Sequence, residues 1–403
     1  MLIFLLILGG EQRTPFAVCL LCCILCVEFL VWLYMNKKKC SDVYNEFCNL
    51  LHVALGQSQE LPHVLTETEW MSLLLVAKQQ AVLGIAYKAI SLLPAGQRPP
   101  RVLSIRLSML AESVRGRNIQ MNQEAARYTQ LFAKQGFQCV ILKGQANARL
   151  YPDPLSRQAG DIDIWIPDEF DRVKQLLLDL GLFSKLQNAH KFSHHIGFRN
   201  ENGIEIEVHH RPVDVPFRNA DFQNVLLAEF ENSMLTPEGF YAPSIRCALL
   251  MQLVHLYKHC RSDGVGLRHY MDYFVLLTHS TEADREYVWA NIKRFKLTRA
   301  CAAIMWVLGE VFELKSKVML CAPDEKRGKR LYKQAFEGGN FGRHTPGAKK
   351  KRTPLKRWLN ERMNALRWLS FDPLNTILGE IHYWNFAFSL LPKRIKQRKL
   401  FLG

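Results

Sequence analysis

Two short stretches of the chain hold acids in strict alternation, Gly-Asp-Ile-Asp-Ile-Trp-Ile at 160–166 and Ile-Glu-Ile-Glu-Val-His-His at 204–210. Side chains two apart on a β-strand share a face, so Asp161 and Asp163 set their carboxylates about 6.6 Å apart at ~3.3 Å per residue. Glu205, Glu207 and His209 alternate in the same way, and a neighbouring strand lies only ~4.8 Å away, close enough to complete a three-carboxylate cluster. Carboxylates crowded like this repel until cations neutralise them, and hard oxygen donors favour Mg²⁺ or Mn²⁺ over zinc. Two such ions about 3.5–4 Å apart would clamp the attacking and leaving oxygens of an in-line displacement at phosphorus. An ordinary half-solvated strand, acid on one side and apolar on the other, would give the same alternation.

The surrounding elements favour the chemical reading. Gly136 ends a helical pattern, and Phe137 to Leu142 reads as a short buried strand running into Lys143 and Gly144. A short helix over Gln145 to Leu150 follows, whose first amides together with Lys143 could hold phosphate oxygens by dipole and charge. Then come a Pro-containing loop, the strand Asp161 to Ile166, and a helix from Asp168 to Leu180. A hairpin closes the set, with strands Lys191 to Arg199 and Ile204 to His210 joined at Glu201, Asn202 and Gly203, where Asn-Gly supplies the positive φ of a tight turn.

The run ILKGQANARLYPDPLSRQAGDIDIWI, Ile141 to Ile166, resembles the signature of the uncharacterised nucleotidyltransferase family within the polymerase beta-like superfamily. The resemblance covers the Leu-Lys-Gly turn, the loop at Tyr151 to Pro154 with Arg157 after it, the paired aspartates, and a later strand matched by Glu207, Val208 and His209. It extends to His255–His259 and Leu267–Leu277. It implies an α/β (α+β) fold, a small mixed-sheet core framed by N-terminal and C-terminal helical regions, transferring NMP from an NTP to an unidentified acceptor with release of pyrophosphate. It further implies two Mg²⁺ (or Mn²⁺) ions on Asp161, Asp163 and Glu207, the last chosen over Glu205 because the family pattern runs acid, apolar, His. Lys143, Gly144, Arg157, Lys258, His259 and Arg268 are then the expected NTP-binding residues, with Asp272 orienting one of the cations. The wider superfamily usually has Gly-Ser on the phosphate turn, where this chain has Lys143-Gly144-Gln145, and its spacing from that turn to the aspartates is shorter. The rival is a non-catalytic RNA- or membrane-surface-binding protein on the same fold.

Histidines offer a second metal chemistry. His190, His194, His195, His209 and His210 gather around the hairpin, and His255 and His259 stand one helical turn apart. A zinc hydrolase is disfavoured because the latter pair lacks the Glu of a His-Glu-x-x-His helix.

Beyond this core, helical periodicity fills 41–135 and 244–322, so the chain divides into a segment 1–40, a helical region 41–135, a core 136–243, a helical region 244–322 and a tail 323–403. At 403 residues with 48% hydrophobic and 22% charged, neither disorder nor a polytopic membrane protein fits. The net charge of +16 is concentrated: the last 81 residues hold 19 Lys and Arg against 6 Asp and Glu, +13, leaving +3 for the other 322. Lys349 to Arg352 and Lys393 to Lys399, interleaved with Trp358, Trp368 and Trp384, fit RNA or an anionic membrane face, and fit a solvated helical tail as well.

The apolar run Phe16 to Met35, broken only by Glu28, is long enough for one membrane-crossing helix, and Lys37 to Lys39 after it favour a cytoplasmic body on a single N-terminal tether. The other reading is a start at Met35 with the upstream residues an extension. Six of the 11 cysteines precede residue 50 and none shows framework spacing, which suits reduced thiols.

Overall fold

The computed structural model describes residues 40–182, 194–262, 264–342 and 353–396. None of the helices among these residues is long and apolar enough to cross a membrane. The apolar run at 16–35, His190 and the basic run at 349–352 lie outside the described residues.

Four helices come first: α1 (Cys40–Ala54), α2 (Glu67–Gln79), α3 (Leu83–Leu92) and the 34-residue α4 (Arg101–Lys134). Thr66 opens α2 with a capping box, its hydroxyl accepting from the Glu69 N–H while its own N–H donates to the Glu69 carboxylate at 2.8 Å. The C-terminal half of α4 buries Met121, Ala125, Tyr128 and Phe132, an i, i+4, i+7, i+11 stripe. That stripe packs on the sheet.

The sheet has four strands, β1 (Val140–Ile141), β2 (Ile162–Trp165), β3 (His195–Arg199) and β4 (Glu205–His209), in the order β1-β2-β4-β3. β2 and β4 run parallel at its centre, and β1 and β3 pair antiparallel at the edges. The strands are shorter than the apolar runs suggest. From the stretch expected at Phe137 to Leu142 only Val140–Ile141 joins the ladder, because the chain must turn at Lys143 and Gly144 into the one-turn α5 (Gln145–Ala148). Gly144 takes φ +59°, and a Cβ there would meet the Asp161 carbonyl at 3.5 Å. After β2 comes α6 (Phe170–Asp179). The β3–β4 hairpin turns as expected at Gly203, φ +68°, and Asn200 and Asn202 tie it to Glu124 of α4 at 3.1 and 2.8 Å.

Between the hairpin and residue 244 lie α7 (Asn219–Phe230) and a two-residue ribbon, β5 (Met234–Leu235) with β6 (Tyr241–Ala242), none of which the sequence pattern announces. In α7 Leu227 is exposed while Phe222, Leu226 and Phe230 are buried, so its apolar residues do not form one clean stripe. The helices α8 (Ile245–Arg261), α9 (Leu267–Thr278), α10 (Glu282–Arg294), α11 (Thr298–Phe312) and α12 (Glu325–Gly338) follow. Last are α13 (Pro354–Trp368) and α14 (Pro373–Lys396).

Alternation along β2 and β4 divides the interior in two. Ile162, Ile164, Ile206 and Val208 face a core shared with α4 and α6. Trp165 faces the opposite way and belongs to a second, helical core in which α1, α3, α8, α9 and α11 meet. Leu331, Ala335 and Phe336 of α12 are buried in that second core too, so the segment after Pro323 begins as part of the body and not as an appended tail.

Candidate active site

Where the sheet's second face meets α8 and α9 there is a cleft of about 260 Å³. The parallel register sets Asp163 directly opposite Glu207, two positions before His209 on β4. Ligand atoms of Asp163, Glu207 and His209 all lie within 4.8 Å of one another. Asp161 precedes β2 and lines the same cleft. Glu205 does not join them: it is exposed on the rim, 3.5 Å from Arg199. His210 turns away to stack edge-on against Phe170.

Asp163 is fully enclosed and shares one oxygen between two groups. His209 Nε2 lies 2.9 Å and Lys143 Nζ 3.1 Å from Asp163 Oδ1. Burial by itself would raise the Asp163 carboxyl, and the charges and hydrogen bonds of Lys143 and His209 more than reverse this, holding it well below the usual range. Asp161 moves the other way, raised first by the negative charge of Asp163 and then by burial. Burial opposes the charged form of His209, but its contacts with Asp163 and with Glu207, 3.4 Å away, lift it above the ordinary 6.5. Glu207 is lowered: burial disfavours its anion, and the His209 hydrogen bond outweighs that.

Asp163 Oδ2 is buried with no hydrogen-bond partner among the described residues, and Asp161 is held up by like charge. A buried carboxylate oxygen with no partner among the described residues and a second carboxylate held up by like charge suit a dication, and the donors, carboxylate oxygens with one imidazole, fit Mg²⁺ or Mn²⁺. Asp161, Asp163 and Glu207 are the residues that could hold it.

Cations line the same cleft. Lys143, Arg157, Lys258 and Arg268 all line the cleft, with His255, His259 and His269 between them. Arg157 is committed elsewhere: its Nε and Nη2 each lie 2.7 Å from a separate oxygen of Asp272. Asp272 therefore orients Arg157 and not one of the α8–α9 cations. Arg268 donates from Nη1 to the Gln158 carbonyl at 2.8 Å, and its Nε is buried with no partner among the described residues. Burial and the neighbouring charge of Arg157 pull its pKa down to about 10. A guanidinium so short of compensation suits an incoming anion. His255 and His259 stand with ring centroids 4.4 Å apart, and His269 and Phe341 pack beside them. Burial first, then Lys143 for His255 and Arg268 for His269, keeps these two imidazoles well below their ordinary pKa.

His269 and Phe341 line the cleft without a role assigned to them from the sequence, and Tyr151, outside the lining, joins the Arg157–Asp272 pair. Tyr151 lies inside the loop motif and His269 follows Arg268, so both had a signal by adjacency. Phe341 had none, since it reaches the cleft from a turn after α12 with φ +55°, a conformation rare for an aromatic residue.

No curated protein matches the chain. Among solved structures it is similar to an antigenic nucleotidyltransferase-like protein from Paracoccidioides brasiliensis, at 14% identity and a TM-score of 0.27, over 48% of this chain and 92% of that one. The profile of the family described as "Uncharacterised nucleotidyltransferase" matches residues 66–313. That span runs from the cap of α2 through α11 and takes in every residue of the cleft except Phe341, so the chain belongs to this family of nucleotidyltransferases.

Proposed function

We infer that the cleft transfers a nucleotidyl group from an NTP to a hydroxyl-bearing acceptor in a metal-dependent reaction. The observation that carries this reading is the register pairing of Asp163 with Glu207 on parallel strands, with Asp161 beside them and Lys143, Lys258 and Arg268 lining the same cleft. A bound Mg²⁺ or Mn²⁺ pair would supply charge neutralisation at the transferring phosphorus and its leaving oxygen. Lys258, His259 and Arg268 would hold the triphosphate, Arg268 with the Nε donor that no described residue engages. Lys143 would neutralise Asp163 in the resting site and then turn toward phosphate. Arg157, clamped by Asp272, positions the loop that delivers Asp161. Glu207 would accept the acceptor's proton as its oxygen bonds to the α-phosphorus and the bond to pyrophosphate breaks. The measurement is pyrophosphate release from each NTP with a cell-extract acceptor pool, with and without Mg²⁺. No release in any combination, with NTP bound equally well in chelator, would favour a non-catalytic binder. The 3.1 Å Lys143–Asp163 contact is the feature that supports this rival, because an ammonium there does part of a metal's work.

For the C-terminal segment we favour an anionic membrane surface over RNA, a preference that agrees with the cytoplasmic tether expected from the lysines at 37–39. The supporting observation is the row of exposed apolar residues on α13 and α14, including Leu359, Met363, Ile381 and Phe388.

A further inference from the structure

The β3–β4 hairpin brings together three imidazoles. His194, His195 and His209 each offer a ring nitrogen, and the three nitrogens lie within 4.8 Å of one another. The backbone fixes this arrangement: His195 and His209 are register partners, and the His210 N–H donates to the His194 carbonyl at 3.1 Å. His194 Nε2 and His195 Nδ1 are 3.4 Å apart, and both rings stand close to that of His209, with centroids 5.5 and 5.1 Å away. At a Zn–N distance of ~2.0–2.1 Å, tetrahedral ligand nitrogens stand roughly 3.3–3.4 Å apart. One edge of such a site already has that length, and the other nitrogens, within 4.8 Å, come into range by side-chain rotation.

Carboxylates stand behind two of the three rings. Glu207 Oε1 lies 3.6 Å from His195 Nε2, and Asp163 Oδ1 lies 2.9 Å from His209 Nε2. Metal-bound histidines commonly have such a partner, which fixes the ring and raises its basicity. Lys143 and Lys258 act on His194 and would repel a cation, but Glu207 and Asp163 touch the imidazoles themselves. Three nitrogens disfavour Mg²⁺, which prefers six hard oxygens, and favour a borderline ion.

We propose that His194, His195 and His209 form a nitrogen-rich site for Zn²⁺ or a similar borderline dication, adjoining the Asp161–Asp163–Glu207 cluster and separate from it in metal preference. Its shared residues, His209 and Glu207, would make zinc occupancy and magnesium occupancy interdependent. The site is read from metal binding alone, so it stands or falls apart from the transfer reaction.

The test titrates the full chain with Zn²⁺ against a chelating chromophore in excess Mg²⁺, and with Mn²⁺ separately. The His194→Ala/His195→Ala double variant is expected to lose at least ~10-fold in Zn²⁺ affinity. Asp161→Asn is expected to weaken Mn²⁺ binding and keep Zn²⁺ binding within about twofold of wild type, since Asp161 is outside the imidazole group. Wild-type Zn²⁺ affinity in the double variant overturns the proposal, as does equal loss in Asp161→Asn. Co²⁺ added to the wild-type protein gives a measure that needs no variant: the intense visible absorption of a tetrahedral nitrogen site is expected, and its absence also overturns the proposal.

Discussion

Arg157 lays Nε and Nη2 on the two oxygens of Asp272, each at 2.7 Å, and the Tyr151 hydroxyl donates to the same Oδ1 at 2.8 Å. Both charged groups are at least 95% buried, so this clamp ties the loop before β2 to α9, 115 positions away, without help from water. Removing one member leaves the other charge buried and alone, which costs about 3–5 kcal/mol, whereas a well-packed apolar replacement of both can be nearly neutral. Asp272→Asn and Asp272→Leu should therefore destabilise the protein strongly in urea, and Arg157→Met with Asp272→Leu should recover much of the loss. Tyr151→Phe should cost about 1.5–3 kcal/mol, the scale of a hydrogen bond to a charged group. An unchanged urea midpoint in Asp272→Asn would contradict the clamp.

The four acids of the alternating stretches should separate by function. Asp161→Asn, Asp163→Asn and Glu207→Gln should each reduce pyrophosphate release by ~100-fold or more, about 2.7 kcal/mol of barrier. Glu205→Gln should be mild, because its carboxylate sits on the rim against Arg199. Folding should survive all four, with Asp163→Asn the most destabilised because Lys143 and His209 lose a buried anionic partner. Equal rates in wild type and Asp163→Asn would end the metal assignment.

What the sequence made legible follows from local rules. Alternation placed Asp163 and Glu207 on one face, and Asn202-Gly203 marked the hairpin that brings His195 back beside His209. Asp161, Lys143 and the α8–α9 cations stand out by residue type and motif, and all of them line the cleft. Long-range partnerships carry no such signal. Nothing local says that Asp272 takes Arg157 and not Arg268, or that Lys143 rests on Asp163, because these choices are made by packing between α9, the loop and the sheet. Phe341 enters the cleft from a turn that only tertiary structure brings there. Likewise α12 was grouped with the tail by its charge, while Leu331 and Phe336 assign it to the core.

The site should also respond to pH, with opposite signs for its two linked groups. Asp163 has a folded pKa below its unfolded value of about 3.9, so its stabilisation is present above that pH and lost as pH falls through the folded value. His209 has a folded pKa above about 6.5, so its contribution is full below that pH and disappears as pH rises through the folded value. A metal that takes over Asp163 and Glu207 removes the acceptors that keep His209 protonated. Mn²⁺ binding near neutral pH should therefore release protons and strengthen as pH rises. Calorimetry in buffers of different ionisation enthalpy measures the release, which should shrink in His209→Gln. Binding with no proton release in the wild type would count against the His209 linkage.

The last prediction concerns α13 and α14. At 100° per residue, Leu355, Leu359, Met363 and Leu366 fall within an arc of about 80°, and Ile377, Ile381, Trp384 and Phe388 within about 60°. All eight side chains are 40–61% exposed. The helices are joined along the flank of these arcs, where Trp358 Nε1 donates to the Tyr383 hydroxyl at 2.9 Å and Arg362 pairs with Glu380. Trp384 also meets Trp358 edge-on at the flank of this contact, and the other apolar residues of the two arcs are left over after the helices have met. Lys356 and Arg367 lie at the border of the first arc, about 100–120° from Leu355, where cations can reach lipid headgroups while leucines enter the acyl boundary. Binding to vesicles of phosphatidylcholine should be weak, and should rise when phosphatidylserine is added and fall with salt. Leu359→Glu with Phe388→Glu should abolish the binding without altering pyrophosphate release, since neither residue lines the cleft. If the protein ignores both vesicle types and instead binds single-stranded RNA with a salt slope of about −0.7 per phosphate contact, the tail's partner is nucleic acid and the exposed arcs have no role in membrane attachment.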